Sequence, residues 1–87
     1  MARFLILDER DNVAVAVEPA KAGDQTVLSN GKTLKVNHEI PFAHKIAIKA
    51  LKKGDKVIKY GEVIGEATAE ISPGDHVHIQ NIRSLRG

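Results

Sequence analysis

Four histidines, a lysine-rich middle and no cysteine define the chemistry open to this 87-residue chain. His76 and His78 form an H-x-H. On a β-strand that spacing sends both imidazoles to one face, close enough to share a metal ion or an anion. Two histidines do not complete a metal site, because a structural zinc takes four ligands and a catalytic one about three. His44, His38 or residues of a partner would have to converge on them. His44 precedes Lys45, which offers an acid/base group beside a cation, since imidazole exchanges protons near neutral pH. Neighbouring side chains on a strand point to opposite faces, so the two need not act together. The alternative for each histidine is structural, a solvent-facing or hydrogen-bonded strand residue. Lys59-Tyr60-Gly61 and Ile64-Gly65 read first as a turn whose rim could carry Lys59 and Tyr60 to an anionic substrate. Their glycines match neither a dinucleotide nor a P-loop spacing, which removes phosphate cradling by a helix N-terminus. No carboxylate pair suits glycoside chemistry, and no Ser/His/Asp constellation is assignable.

The elements that must position these residues are short strands. Residues 13–17 read VAVAV and end at Glu18-Pro19, because proline cannot donate into a ladder. Residues 4–7 suit a first strand or an ordered arm. Residues 25–28 and 33–36 flank Asn30-Gly31, the dipeptide favoured by a two-residue hairpin turn. In residues 44–51, Ile46 and Ile48 share one face at period two, while Lys45, Ala47, Lys49 and Leu51 share the other. A two-turn helix is the competing reading there. Strand is preferred because Gly54 and the β-branched Val57-Ile58 follow. A weak repetition runs through the chain: Lys21-Ala22-Gly23-Asp24, Lys52-Lys53-Gly54-Asp55 and Ser72-Pro73-Gly74-Asp75 each set Gly-Asp before a β-prone segment. Glycine takes the positive-φ turn position and aspartate bonds nearby amides. No block of constant period spans the chain, so a solenoid is not implied.

Size and charge limit the function. A single domain over residues 1–87 buries only about 60–65% of its unfolded surface. A substrate pocket of roughly 300–1,000 Å³ would then need walls shared with a partner. Aromatic residues make up 3% of the chain and there is no tryptophan, so no stacking platform for single-stranded nucleic acid is evident. Thirteen basic residues oppose 11 acidic ones for a net charge of +2. The run Lys45, Lys49, Lys52, Lys53, Lys56 and Lys59 is interrupted by apolar positions and Asp55, and reads as a solvated strand edge. A nucleic-acid partner is not expected. The apolar run at residues 4–7 is too short for a signal peptide or membrane span. With cysteine absent, a soluble, cytoplasmic protein is expected.

Taken in order, Asp11-Asn12-Val13-Ala14, Ala43-His44-Lys45-Ile46-Ala47, Gly54-Asp55-Lys56-Val57-Ile58-Lys59-Tyr60-Gly61 with Ile64-Gly65, and Gly74-Asp75-His76-Val77-His78 followed by Asn81 resemble a known family. It is the SAF-like N-terminal domain of altronate and galactarate dehydratases, which in sulfolactate sulfo-lyase is a separate small subunit. The resemblance covers about four-fifths of the chain. It implies an all-β fold, a small β-clip with short strands and at most one short helix. It also implies one wall of a site shared with a large catalytic lyase subunit that acts on a small hydroxy-acid substrate. A divalent metal, iron in dehydratase relatives, is implied for the assembled enzyme, held mainly by the large subunit. Carried over by position, His44 and Lys45 are the catalytic pair. Lys59, Tyr60, His78 and Asn81 are substrate-binding, and His76 and His78 are the metal candidates. The chain departs from the pattern at Ala43, where a glycine commonly precedes the histidine, and at Gln80, where many relatives carry another histidine. A stand-alone sugar-acid or carbohydrate binding module without catalysis is the alternative, and the isolated chain could form a homo-oligomer.

Overall fold

The computed structural model describes residues 2–29 and 31–85. Nine strands run in order: β1 (Ala2–Leu5), β2 (Val13–Ala16), β3 (Gln25–Leu28), β4 (Thr33–Lys35), β5 (Lys45–Ala47), β6 (Lys56–Lys59), β7 (Glu62–Ala67), β8 (His76–Val77) and β9 (Ile82–Ser84). The described residues contain no helix, so the fold is all-β as expected. One sheet has the order β4-β3-β1-β2-β5-β8, and a second is β6-β7-β9. All pairings are antiparallel except β1 with β3.

The alternating apolar runs are explained by two hydrophobic cores on opposite sides of β2 and β5. Ala14, Ala16 and Ile46 pack into one core with Phe4, Ala20, Leu28, Val36 and Ile40. Val13 and Ala47 pack into the other with Leu51, Val57, Ala67, Ile71 and Val77. Apart from Lys45, these two strands are apolar at every step, because they pack on both faces. The period-two reading of residues 44–51 is correct in its faces, with Ile46 and Ile48 against the first core and Ala47 and Leu51 in the second. It is wrong in its length. β5 stops at Ala47: the Ile48 N–H still donates to the Asn12 carbonyl (3.0 Å), but the Asn12 N–H turns away to the Ile58 carbonyl (3.2 Å), and the chain then bends to form an isolated bridge from Leu51 to Ile71. β1 likewise ends at Leu5, short of the expected residues 6 and 7. The hairpin between β3 and β4 forms, with Gln25 opposite Lys35 and Val27 opposite Thr33. Of its turn dipeptide, Gly31 has φ 87° and Asn30 lies outside the described residues.

The repeated Gly-Asp turns prove to be four, not three. Ala20, Ile40, Leu51 and Ile71 each form a bridge (Ala20 with Ile40, Leu51 with Ile71), and each is followed by a tight turn into a strand. Residues 31 positions apart play the same part. Gly23 and Gly54 donate to Val36 and Ala67, and Ala43 and Gly74 donate to Ala16 and Ala47. The two cores follow the same offset, with Ala16, Ala20, Val36, Ile40 and Ile46 in one and Ala47, Leu51, Ala67, Ile71 and Val77 in the other. The fourth turn escaped the sequence pattern because it carries Ala43-His44 in place of Gly-Asp.

Candidate functional site: a three-histidine cluster

The register of β5 and β8 assembles the site. Lys45 lies opposite Val77 and Ile46 opposite His76, so one step further along His44 faces His78. Directly opposed residues of an antiparallel pair bring their side chains closest. The ring centroids of His44 and His78 are accordingly 4.3 Å apart, those of His44 and His76 are 5.1 Å apart, and those of His76 and His78 are 5.5 Å apart, all stacked. One ring nitrogen from each histidine falls within 4.8 Å of the others, and His44 Nδ1 and His76 Nε2 are hydrogen-bonded at 2.9 Å. Sequence spacing supplied the H-x-H, and the sheet supplies the third imidazole. His44 and His78 sit just beyond the strand ends rather than on the strands, since β5 begins at Lys45 and β8 ends at Val77.

The turn that delivers His44 shows how the position became free for chemistry. In the other three turns an aspartate closes its own loop. Asp24 accepts from the Lys21 N–H at 2.9 Å, Asp55 from Lys52 at 2.8 Å and Asp75 from Ser72 at 2.9 Å. The equivalent residue in the fourth turn is Pro41, which has no N–H to offer. A carboxylate at position 44 would find no donor there. The backbone closure is kept, with the His44 N–H donating to the Pro41 carbonyl at 3.1 Å. Ala43 holds φ 70°, the left-handed conformation that glycine takes in the other three turns. The departure from glycine noted in the sequence therefore leaves the turn intact at a modest conformational cost. The His44 carbonyl accepts from the Ala16 N–H at 2.8 Å, which fixes the turn on β2.

Asn81 underpins the other side. Its Oδ1 accepts from the His78 N–H (3.0 Å) and its Nδ2 donates to the His76 carbonyl (2.7 Å), tying down the turn that carries both histidines. Gln80 Nε2 stands 3.3 Å from His76 Nδ1, opposite the ring nitrogen that meets His44. The site is cationic. Lys45 is half-buried, and burial first, then the charge of Lys59, hold its ammonium below the ordinary lysine range. His76 is pushed down by burial, then by His44, His78, His38 and Lys45; His78 is pushed down by burial, then by His44 and Lys45. Both imidazoles are thereby biased towards the neutral form that carries a lone pair.

The remaining expected residues fall at the margin. Tyr60 and Gly61, with φ 58° and 69°, form the two-residue turn between β6 and β7. The Gly61 N–H donates to Asp11 Oδ1 (2.9 Å), and Asn12 brackets the register shift in β6, accepting from the Ile58 N–H and donating to the Lys56 carbonyl, both at 2.8 Å. The Asp11-Asn12 motif thus sets where the Lys59-Tyr60 corner sits. His38 pairs with Asp75 (3.3 Å), which also accepts from Asn37 (2.9 Å), so His38 lies outside the cluster of three. Sequence reasoning anticipated the Asp75 bond to its own turn but missed its contacts with Asn37 and His38, and it missed the Pro41 turn. The signal for the latter was proline three residues before histidine at a 31-residue offset from Ser72 and Asp75. A shallow groove of about 440 Å³ lined by Lys53, Gly54, Glu66, Ala67, Thr68 and Arg83 contains none of the candidate residues. The histidines thus line an open rim rather than that groove.

Fold and site together define a small all-β domain that presents three imidazoles and two lysines at a rim. The chain belongs to the altronate/galactarate dehydratase SAF domain family, whose model matches residues 2–85. It is 33% identical over 84 residues to the altronate dehydratase of Bacillus subtilis, covering 97% of this chain and 17% of that protein. It is 37% identical over 89 residues to the (2R)-sulfolactate sulfo-lyase subunit alpha of Chromohalobacter salexigens, covering 95% of each. A second subunit alpha, from Paracoccus pantotrophus, is 47% identical over 53 residues, covering 61% of this chain and 79% of that one. The chain thus spans about one-sixth of the altronate dehydratases it matches and nearly the whole of a sulfo-lyase small subunit. Among the described residues, no helix is long and apolar enough to cross a membrane.

Proposed function

We propose that this chain is the small subunit of a hydroxy-acid lyase, and that its histidine rim forms part of a site completed by a large catalytic subunit. The observation that carries this reading is the convergence of His44, His76 and His78 on a domain that matches a sulfo-lyase subunit alpha over 95% of both lengths. The donor set suits a divalent cation such as iron. Two imidazole nitrogens bound to one ion at about 2.1 Å stand roughly 3.0–3.4 Å apart, close to the 2.9 Å between His44 Nδ1 and His76 Nε2. His44, His76 and His78 would hold the ion, with Gln80 orienting His76 and Asn81 fixing the loop. Such an ion supplies Lewis-acid stabilisation of the charge that builds on the substrate carboxylate when the neighbouring carbon loses its proton.

The chain's own residues then have separate tasks. Lys59 and Tyr60 attract and orient the anionic substrate at the rim. Lys45, whose burial and proximity to Lys59 both favour the neutral amine, accepts the proton from carbon. The leaving group departs from the adjacent carbon with the bonding electron pair, as sulfite or as hydroxide that takes the proton Lys45 has accepted and leaves as water. The test is reconstitution. Co-expressed with a large lyase subunit encoded beside it, the chain should co-purify, and elimination from altronate, galactarate or (2R)-sulfolactate should require it. Absence of a complex, or activity unchanged when the chain is omitted, defeats the proposal. Calorimetry on the isolated chain with the same acids should show little binding, whereas a stand-alone binding module would bind.

A further inference from the structure

The most exposed large apolar side chains among the described residues all border the site. Ile79 is 83% exposed, and Phe42 and Tyr60 are each 65% exposed, whereas the next, Val27, is 47% exposed. Ile79 follows His78, Phe42 stands two residues before His44, and Tyr60 follows Lys59. Single exposed apolar residues are ordinary on a protein surface. Here the three largest exposures fall on the three turns that carry the candidate chemistry, from well-separated parts of the chain. The same rim carries Lys45, Lys59 and the three imidazoles; of the carboxylates on the surrounding turns, Asp75 already accepts from Ser72, Asn37 and His38, Asp11 accepts from the Gly61 N–H, and Glu62 stands opposite Lys59 in the ladder. Exposed aromatic and aliphatic side chains beside a basic rim are the groups a docking face uses, the apolar ones as contact anchors and the charge to steer an acidic partner.

We infer that Phe42 and Ile79 are the anchors by which the large lyase subunit seats on this chain, its facing surface offering apolar pockets to them and an acidic border that is steered towards the basic rim, while Lys45 and Lys59 stay free for the substrate. The inference rests on the small-subunit reading and adds which face is covered. It also accounts for a catalytic rim that is open in the domain alone, because the same contact that joins the subunits closes the site. In the dehydratases the matching segment is about one-sixth of a single chain, so there the equivalent face would meet the rest of the same polypeptide.

The experiment measures affinity between the two subunits, expressed and purified separately, for the wild type, Phe42→Ser, Ile79→Ser and, as a control, Val27→Ser on β3, which three strands separate from β8. Thermal unfolding of each variant checks that the fold is kept. Phe42→Ser and Ile79→Ser should each weaken the complex roughly tenfold or more, as expected of interface anchors, with Val27→Ser within about twofold. The association rate should fall as salt is raised. If the wild-type subunits form a complex and neither anchor substitution weakens it, the docking face is wrong and the small-subunit reading stands. If the wild-type subunits form no complex, that reading falls and this inference with it.

Discussion

The turn that leads into β5 and the turn that leads into β8 occupy equivalent places in the two halves of the molecule and have been put to different uses. In the second, Asp75 accepts from Ser72, Asn37 and His38 and locks residues 36–38 over the turn. Gly74 lies so close under the Lys35 carbonyl that a side chain there would collide with it. In the first, Pro41 removes the donor, the carboxylate loses its purpose, and His44 stands in its place facing His78. One backbone geometry therefore serves as an anchor in one copy and as a carrier of chemistry in the other. The fold can spare the first carboxylate because the turn remains closed through backbone bonds to Ala16 and Pro41.

If the halves are equivalent as packing units, truncating their central residues should cost alike. Ile40→Ala and Ile71→Ala, both fully buried at the bridges, should each destabilise the domain by about 2–5 kcal/mol in urea unfolding. A near-silent change at either would break the equivalence. At the turns themselves the halves should diverge. Asp75→Ala should cost about 1–3 kcal/mol because it strips several donors of one acceptor. Asp24→Ala, whose one side-chain bond among the described residues is to Lys21, should cost about 0.5–1.5 kcal/mol. A double-mutant cycle sharpens the role of proline. His44→Asp alone should gain no capping bond, while His44→Asp combined with Pro41→Ala should recover about 0.5–1 kcal/mol of coupling. Equal behaviour with and without proline would remove the explanation given for His44.

The smallest effect concerns pH. His76 and His78 are both held below the ordinary histidine value of 6.5, chiefly by burial. The unfolded chain therefore binds more protons than the folded one as pH falls through 6.5, and stability should decline over that interval and towards the lower folded values. His76→Gln should flatten the slope. A stability that rises on acidification would contradict the burial of these rings.

Much of this organisation was legible in the sequence. Residues 13–17 and 44–51 declared strands by β-branched and alternating apolar positions, the second longer than the strand that forms at residues 45–47, and Asn30-Gly31 announced a hairpin because hairpin turns demand positive φ. The pairing of His76 and His78 followed from the period of two. What sequence could not supply was long-range register: nothing local says that His44 will face His78, because 34 positions separate them and β2, β5 and β8 must first align. The 31-residue duplication was hidden for a related reason. Its first copy had exchanged the glycine and aspartate that mark the other turns for Ala43 and His44. Asp11 and Asn12 were visible as a motif, but their roles at the Gly61 turn and the β6 irregularity appear only when residues about 50 positions apart meet.

The central claim is that His44, released from turn capping, completes a cation site with His76 and His78. Titrating the purified chain with cobalt(II) at pH 7.5, read by its visible absorption and by calorimetry, tests this directly. One ion per chain is predicted, with binding lost in His44→Ala, His76→Ala and His78→Ala and retained in Asp24→Ala. Undiminished binding by His44→Ala, or no stoichiometric binding by the wild type, would contradict it.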